Sequence, residues 1–424
     1  MRRAAAPKLG AYAGLAALAL LASLVVGLPE LAVVALPFAL VSGVGLALGR
    51  RPSVDVAVAL DRDLVLEGDD VTLTLSLASE TPIERLDLLL DLPRGLAVEN
   101  AWNPRAVSLS AGERRRLEFG FRCERWGAYR LGDLRLRAHD PFGLIVHDGR
   151  LEPQVSLKVY PRPEAVRSLF RPFETQVFVG NLVAREKGEG VEFADLRPFV
   201  AGDRIRRINW RASARRGELW VNELHVERNA DVVLFLDTFT EARRAGETTL
   251  DRTVRGAAAL AAHYLRHKDR VGLVTFGGVL NWLLPATGLV QLYRIIDSLL
   301  ESEIVLNYAW KDIDVLPRRT LPPKALVIAL TPLLDDRAAE ALLDLRARGF
   351  DLTIIDVSPV PFVEPAASED AQLAYRIWQL RREARRGRYE QAGAPVVVWD
   401  DAKPLAAALE EVTAFRRHAP MPAA

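Results

Sequence analysis

Arg204, Arg206, Arg207, Arg211, Arg215 and Arg216 crowd into a segment that also holds Glu192, Asp195, Arg197, Asp203, Trp210, Ser213 and Trp220. Guanidinium groups suit planar, bidentate contact with carboxylate or phosphate. One use for such a cluster is an internal network, in which Asp195, Asp203, Glu223 and Glu227 pair with Arg197, Arg206, Arg207 and Arg215. Close alternation of opposite charges favours it, because buried charges need partners. A second use is a protein-docking surface, since Trp and Arg are enriched where binding energy concentrates. The cations here are interleaved with Phe193, Phe199, Ile205, Ile208 and Trp210, unlike a solvated charge run. A third use, a phosphate or nucleic-acid site, is disfavoured by the formal net charge of +1. Network and docking are compatible with each other.

Elsewhere catalytic chemistry is sparse. Ser213 sits in Arg-Ala-Ser-Ala-Arg, without a G-x-S-x-G elbow or a partner histidine in a recognisable motif. Cys123 is the only cysteine, which excludes an intrachain disulfide and a thiolate metal cluster and suits a reducing compartment. His263 and His267 have the i, i+4 spacing of a zinc pair, but Tyr264-Leu265-Arg266 supplies no glutamate base, so surface histidines near a helix end are expected. No glycine-rich phosphate loop is present. The chain therefore reads as a protein without catalysis of its own. The rival reading is a membrane-bound hydrolase that uses Asp195 and Asp203.

The elements that must carry these residues fall into four regions. Residues 9–28 and 31–48 are uncharged apolar runs, each close to the length needed to cross a bilayer core. Only Pro29 and Glu30 separate them, so residues 1–51 read as a transmembrane helical hairpin. Arg2, Arg3 and Lys8 precede the first run and Arg50 and Arg51 follow the second, which puts both ends in the cytoplasm. A cleaved signal peptide would show one such run, not two. Residues 52–161 alternate apolar and polar positions, as in Val71, Leu73, Leu75 and Leu77, and read as a β-sandwich. Residues 162–230 are a connecting segment leading into the arginine-rich block. From residue 231 onward apolar runs such as Val232–Leu236, Val271–Phe276, Ala325–Leu330 and Leu352–Val357 alternate with helical stretches at Thr249–His267, Leu289–Leu300, Asp336–Arg348 and Asp370–Arg385. That alternation predicts a doubly wound α/β domain over 231–424, with a mostly parallel sheet. The basic run Arg381–Arg388 reads as a solvated helix end.

The block around Glu192, Phe193, Asp195, Leu196, Arg197, Gly202, Asp203, Arg206, Ile208, Trp210, Ser213, Ala214 and Arg215 resembles the signature of a bacterial family known as domain of unknown function 58. The turn Asp140-Pro141-Phe142-Gly143-Leu144 recurs in that family at the same place. The resemblance implies a von Willebrand A-like domain after the signature. It also implies a partner, a MoxR-type AAA+ ATPase, for which this chain would serve as a membrane-anchored cytoplasmic adaptor at the inner membrane in cell-envelope processes. Its partner-binding or structural residues would be Glu192, Asp195, Arg197, Asp203, Arg206, Arg207, Trp210, Ser213 and Arg215. In the von Willebrand A fold the first strand commonly ends in D-x-S-x-S, whose oxygens hold Mg²⁺, a cation that demands hard ligands. This chain reads Asp237-Thr238-Phe239-Thr240-Glu241, so Phe239 and Glu241 stand at the hydroxyl positions. No aspartate directly follows Thr331. Asp237, Thr240 and Thr287 are the residues left to form a metal site, which is expected to be degenerate. Metal-dependent ligand binding there is a further alternative function.

Overall fold

The computed structural model describes residues 2–48, 52–98, 103–140, 142–152, 154–166, 170, 176–177, 183–200, 203, 205–244, 246–302, 304 and 321–418. The chain divides into two compact units, Met1–Arg162 and Pro163–Ala424.

The first unit begins with a short strand, β1 (Arg2–Ala5), that runs into helix α1 (Pro7–Val26) with only Ala6 between them. Gly27, at φ 72°, takes the left-handed conformation that ends α1, and α2 (Glu30–Leu48) returns antiparallel to it in sequence order. Both helices are long and apolar enough to cross a membrane, and almost none of their surface is buried in the protein. Leu18, Leu24 and Val25 stand exposed, an arrangement that a lipid environment makes inexpensive. These two apolar helices are compatible with membrane anchoring.

Eleven further strands complete this unit: β2 (Val54–Leu60), β3 (Leu64–Leu66), β4 (Asp70–Ser79), β5 (Ile83–Asp91), β6 (Leu96–Val98), β7 (Arg105–Leu109), β8 (Arg114–Cys123), β9 (Gly127–Leu131), β10 (Asp133–His139), β11 (Ile145–Leu151) and β12 (Val155–Tyr160). A five-stranded sheet has the order β1-β11-β10-β5-β7 and a four-stranded sheet the order β2-β4-β8-β6. Alternate residues of each sheet, Leu73, Leu75 and Leu77 on one and Leu86, Leu88 and Leu134 on the other, share one apolar core. Cys123 is part of that core, and burial pushes its thiol up to about 11, so it is inert at neutral pH.

The Asp140–Leu144 turn does more than close a strand pair. The Ala6 amide donates to the Leu144 carbonyl at 2.9 Å, and Lys8 Nζ donates to the Phe142 carbonyl at 3.0 Å. On α2 a Cβ at Gly45 would lie 2.5 Å from Leu144 Cδ1, so the absence of a side chain here lets Leu144 pack against the helix in its present rotamer. β1 meanwhile pairs antiparallel with β11, from Arg2 opposite Asp148 to Ala5 opposite Ile145. The hairpin is thus fastened to the sheet rather than tethered beside it.

The second unit opens with β13 (Gln176–Val177), β14 (Val183–Pro198), helix α3 (Trp210–Arg216) and β15 (Trp220–Asn229). It continues with β16 (Asp231–Thr238), the short pair β17 (Arg243–Arg244) and β18 (Glu247–Thr248), α4 (Thr249–Arg266), β19 (Arg270–Gly277), β20 (Asn281–Ala286), α5 (Gly288–Leu300), β21 (Leu326–Thr331), α6 (Asp336–Ala347), β22 (Asp351–Val357), α7 (Glu369–Gln391), β23 (Val396–Trp399) and α8 (Leu405–His418). The large sheet has six strands in the order β20-β19-β16-β21-β22-β23. All neighbours are parallel except β19 and β20. The central strands are buried along their whole length, as expected of strands covered on both faces. Val233, Phe235 and Val327 pack with Leu342 and Leu345 of α6 and Tyr389 of α7, while α4 lies against β16, β19 and β21. A capping box starts α4: Thr248 Oγ1 accepts from the Asp251 amide, and Asp251 Oδ2 accepts from the Thr248 amide.

Candidate functional site

Two places in the second unit hold the described polar residues that the sequence singles out. The first is the turn and helix after β14. Arg197 and Asp203 form a bidentate ion pair at 2.6 and 2.7 Å, and Asp203 Oδ2 also accepts from the Val200 amide at 2.8 Å. One carboxylate therefore closes the turn between β14 and α3. Asn209 caps α3, with Oδ1 accepting from the Ala212 amide and Nδ2 donating to Asn209's neighbour across the bridge, Asn222 Oδ1, at 2.8 Å. Ser213 is buried; its hydroxyl donates to the Asn209 carbonyl and accepts from the Trp220 amide at 2.8 Å. Arg216 lies over the Trp220 ring with its guanidinium carbon 3.9 Å from the centroid.

These contacts sort the sequence candidates. Arg197, Asp203 and Ser213 are internal braces, together with Asn209 and Asn222, which the sequence reading passed over. The sole advance signal for Asn209 was its place before a helical run, where asparagine is a preferred cap. Ser213, with its hydroxyl committed to backbone groups, has no room to act as a nucleophile. Asp203, with both oxygens on Arg197, is poorly placed to serve as a hydrolytic base. Asp195 is exposed and accepts from the Leu196 amide. Arg206, Trp210, Arg211 and Arg215 are turned to solvent, with Val200 and Ile205 beside them in sequence and likewise exposed. The side chains of Glu192, Arg207, Glu223 and Glu227, and residues Gly202 and Arg204, lie outside the described residues.

The second place is the carboxyl edge of the sheet between β16 and β21. The strand order reverses there, which opens a crevice in doubly wound sheets. Asp237 is fully buried: Oδ2 accepts from the Thr331 hydroxyl at 2.7 Å and Oδ1 from the Phe239 amide at 3.1 Å. Burial pushes its carboxyl up to about 7, against the pull of those two hydrogen bonds. Phe239 turns inward and meets Phe276 edge to face at 5.0 Å. Arg337, held by Asp335 at 2.8 Å, lies over the outer face of Phe239 at 4.1 Å from the ring centroid.

This arrangement does not fit a hard cation. Thr287 is not brought to Asp237. β20 runs antiparallel, so Ala286 pairs with Val271, which is level with Val232 at the opposite end of β16. Five residues of strand, about 16 Å, separate that level from Asp237. Thr240 Oγ1 is buried without a hydrogen-bond partner, as is Glu241 Oε2, while the other Glu241 oxygen pairs with Arg243. Among the described residues no group of three His, Cys, Asp or Glu converges as metal ligands. The Arg337 guanidinium favours the ionised form of Asp237 electrostatically. His263 and His267 stack at 4.8 Å, and the His267 ring engages the His263 carbonyl, as in an ordinary helix end.

Comparison with known proteins agrees with the signature. Residues 195–394 match a family described as "Protein of unknown function DUF58". The uncharacterized protein YeaD of Bacillus subtilis (strain 168) is 24% identical over 259 residues, which are 57% of this chain and 60% of YeaD. The chain thus spans less than two thirds of that relative. Among solved structures, native alpha-2-macroglobulin from Escherichia coli, from domain MG7 to the C-terminus, is 20% identical at a TM-score of 0.22, over 30% of this chain and 20% of that one. The cupredoxin domain of amoB from Nitrosocaldus yellowstonii is 10% identical at a TM-score of 0.20, over 28% and 95%. Scores that low carry no structural argument.

Proposed function

We propose that this chain, which belongs to the DUF58 family through residues 195–394, is a membrane-anchored adaptor that presents the α3 surface to a protein partner. The supporting observation is the division of labour in the signature block. Arg197, Asp203, Asn209 and Ser213 spend their polar groups holding α3 in place, while Trp210, Ile205, Arg206, Arg211 and Arg215 face solvent. Trp210 is 64% exposed and Ile205 70% exposed, an expensive arrangement unless something covers them. Aromatic and arginine side chains on a rigid support are the usual anchors of an interface.

The partner class rests on the family resemblance and is a MoxR-type AAA+ ATPase, with the soluble units in the cytoplasm beneath the inner membrane. A von Willebrand A-like identity for the second unit is supported by its strand order and by its single antiparallel edge strand, β20. Arg2, Arg3 and Lys8 at one end of the hairpin, with Arg50 and Arg51 at the other, support the cytoplasmic placement. A tag placed after Ala424 is accordingly expected to resist external protease in intact cells and to be cut once the cells are opened. Cutting in intact cells would place the body on the other side.

Affinity capture of the full chain in detergent, with and without ATP, tests the partner. A AAA+ ATPase should be recovered in a nucleotide-dependent amount. Trp210→Ala and Arg206→Glu should each lower its recovery by about tenfold, the loss of one hot-spot residue. Their melting temperatures should match the wild type, since both side chains are exposed. Capture of no ATPase in either condition, or capture that both variants leave intact, rejects the reading.

A further inference from the structure

The charges of the signature block are segregated along the β14–β15 ribbon. Over residues 192–227 seven arginines nearly balance six acids. The tip of the ribbon, residues 199–219, holds six of those arginines and two acids, Asp203 and Glu218. Asp203 is already engaged in both directions by Arg197. The other four acids, Glu192 and Asp195 on β14 and Glu223 and Glu227 on β15, stand back from the tip. They lie three to seven residues from the closing pair, Pro198 with Trp220. At the rise of a strand that is about 10 to 23 Å, beyond the roughly 8 Å over which charges act at physiological salt. The block as a whole is nearly neutral, and its tip is strongly basic.

The basic tip is also where apolar side chains are exposed. Trp210, Arg211, Ala214 and Arg215 are all exposed and share one side of α3, while Ser213 turns inward. Val200 and Leu219, both exposed, meet at the base of the tip, where the Phe199 amide donates to the Leu219 carbonyl at 2.8 Å. Among the described residues Arg206, Arg211 and Arg215 have no acidic partner. Apolar anchors ringed by guanidinium groups call for a pocket ringed by carboxylates. A nucleic-acid strand would call for cations tracking a groove, and a lipid surface for a long amphipathic helix. Here the cations crowd around a helix of seven residues.

We propose, resting on the adaptor reading, that the partner surface met by α3 is acidic: a carboxylate-rich patch around an apolar pocket that takes Trp210. The two kinds of residue then have different roles. Arg206, Arg211 and Arg215 steer the encounter and set its salt dependence, because solvent-exposed charges act mainly on the rate of association. Trp210, seated in its pocket, sets the rate of dissociation.

Photocrosslinking of the full chain in its own membranes tests this. A photoreactive phenylalanine analogue replaces Ala214, which is exposed between Arg211 and Arg215, and the attached peptides are sequenced by mass spectrometry. The peptide joined to position 214 should come from the AAA+ ATPase and be rich in Asp and Glu. Its yield should fall by about tenfold when salt is raised from roughly 50 to roughly 300 mM. The combined Arg211→Glu, Arg215→Glu chain should lose the cross-link. Replacing two carboxylates of the attached peptide with lysine should restore it. Trp210→Ala should lower the yield at every salt concentration and leave the salt dependence unchanged. All three residues are exposed, so unchanged melting temperatures separate loss of contact from loss of fold. A cross-link to the ATPase through a peptide without acids, or one indifferent to salt, overturns the acidic surface and leaves the adaptor reading standing. So does failure of the lysine replacements to restore the cross-link. Cross-links to lipid or nucleic acid alone, or none to an ATPase, overturn the adaptor reading and this inference with it.

Discussion

Arg382→Ala is expected to destabilise the second unit by about 3–5 kcal/mol, the cost of leaving one member of a buried ion pair uncompensated. Arg382 is 5% exposed and Asp356 1%, and the guanidinium meets both carboxylate oxygens at 2.7 and 2.9 Å. The same group also donates to the Pro332 carbonyl, tying α7 to the loop after β21 as well as to the end of β22. Truncation therefore strands a buried carboxylate and a buried carbonyl together. Chemical denaturation of the full chain in detergent measures the loss. A paired Arg382→Leu, Asp356→Leu replacement removes both charges and should recover much of it, since a packed apolar pair often matches a buried salt bridge. If the single and paired replacements cost the same, packing and not charge holds α7 in place.

Asp237 makes the second large effect, and its signature is pH dependence. An aspartate in the unfolded chain titrates near 3.9. In the folded chain burial lifts Asp237 to about 7, so the folded state binds the extra proton between these values. Its stabilising contribution is complete below the unfolded value and is lost as pH rises through about 7. Asp237→Asn removes the titration and keeps an acceptor for the Thr331 hydroxyl. Relative to wild type, the variant should gain stability between pH 5 and pH 7 at about 1.4 kcal/mol per unit, the slope of one proton, and then level off. Parallel stability curves for the two proteins would show that Asp237 titrates normally and that water reaches it.

How much of this could be read in advance depended on the range of the interaction. Period-2 alternation at Val71–Leu77 and the buried run at Val232–Leu236 are local patterns, and both became strands. The two apolar helices were equally plain, because twenty uncharged residues leave few alternatives. β20 was missed: Pro285 and the exposed Trp282 and Leu284 spoil a strand pattern that is tolerated because this is an edge. That omission misplaced Thr287, since an unseen antiparallel strand moves the following residue to the other end of the sheet. Arg382 shows the same limit. Within Arg381–Arg388 nothing distinguishes it from its neighbours until Asp356, on β22, selects it. Arg337 over Phe239 is likewise a contact between loops distant in sequence. Family resemblance drew attention to the signature block, but only geometry separated its braces, such as Arg197 and Ser213, from its outward residues, such as Trp210.

Ala6 is the only residue between a hydrogen-bonded strand and a bilayer-length helix, and α1 is held again at Leu144 and Phe142. With the hairpin in a membrane, the all-β unit cannot swivel on its anchor or drift away from it. It behaves as a plinth bolted to the lipid surface. Force applied to that unit would reach the bilayer as torque on α1 and α2, loading the β1–β11 ladder in shear, and would not be absorbed by slack chain. A fixed base of this kind converts a pull into displacement of whatever else is held.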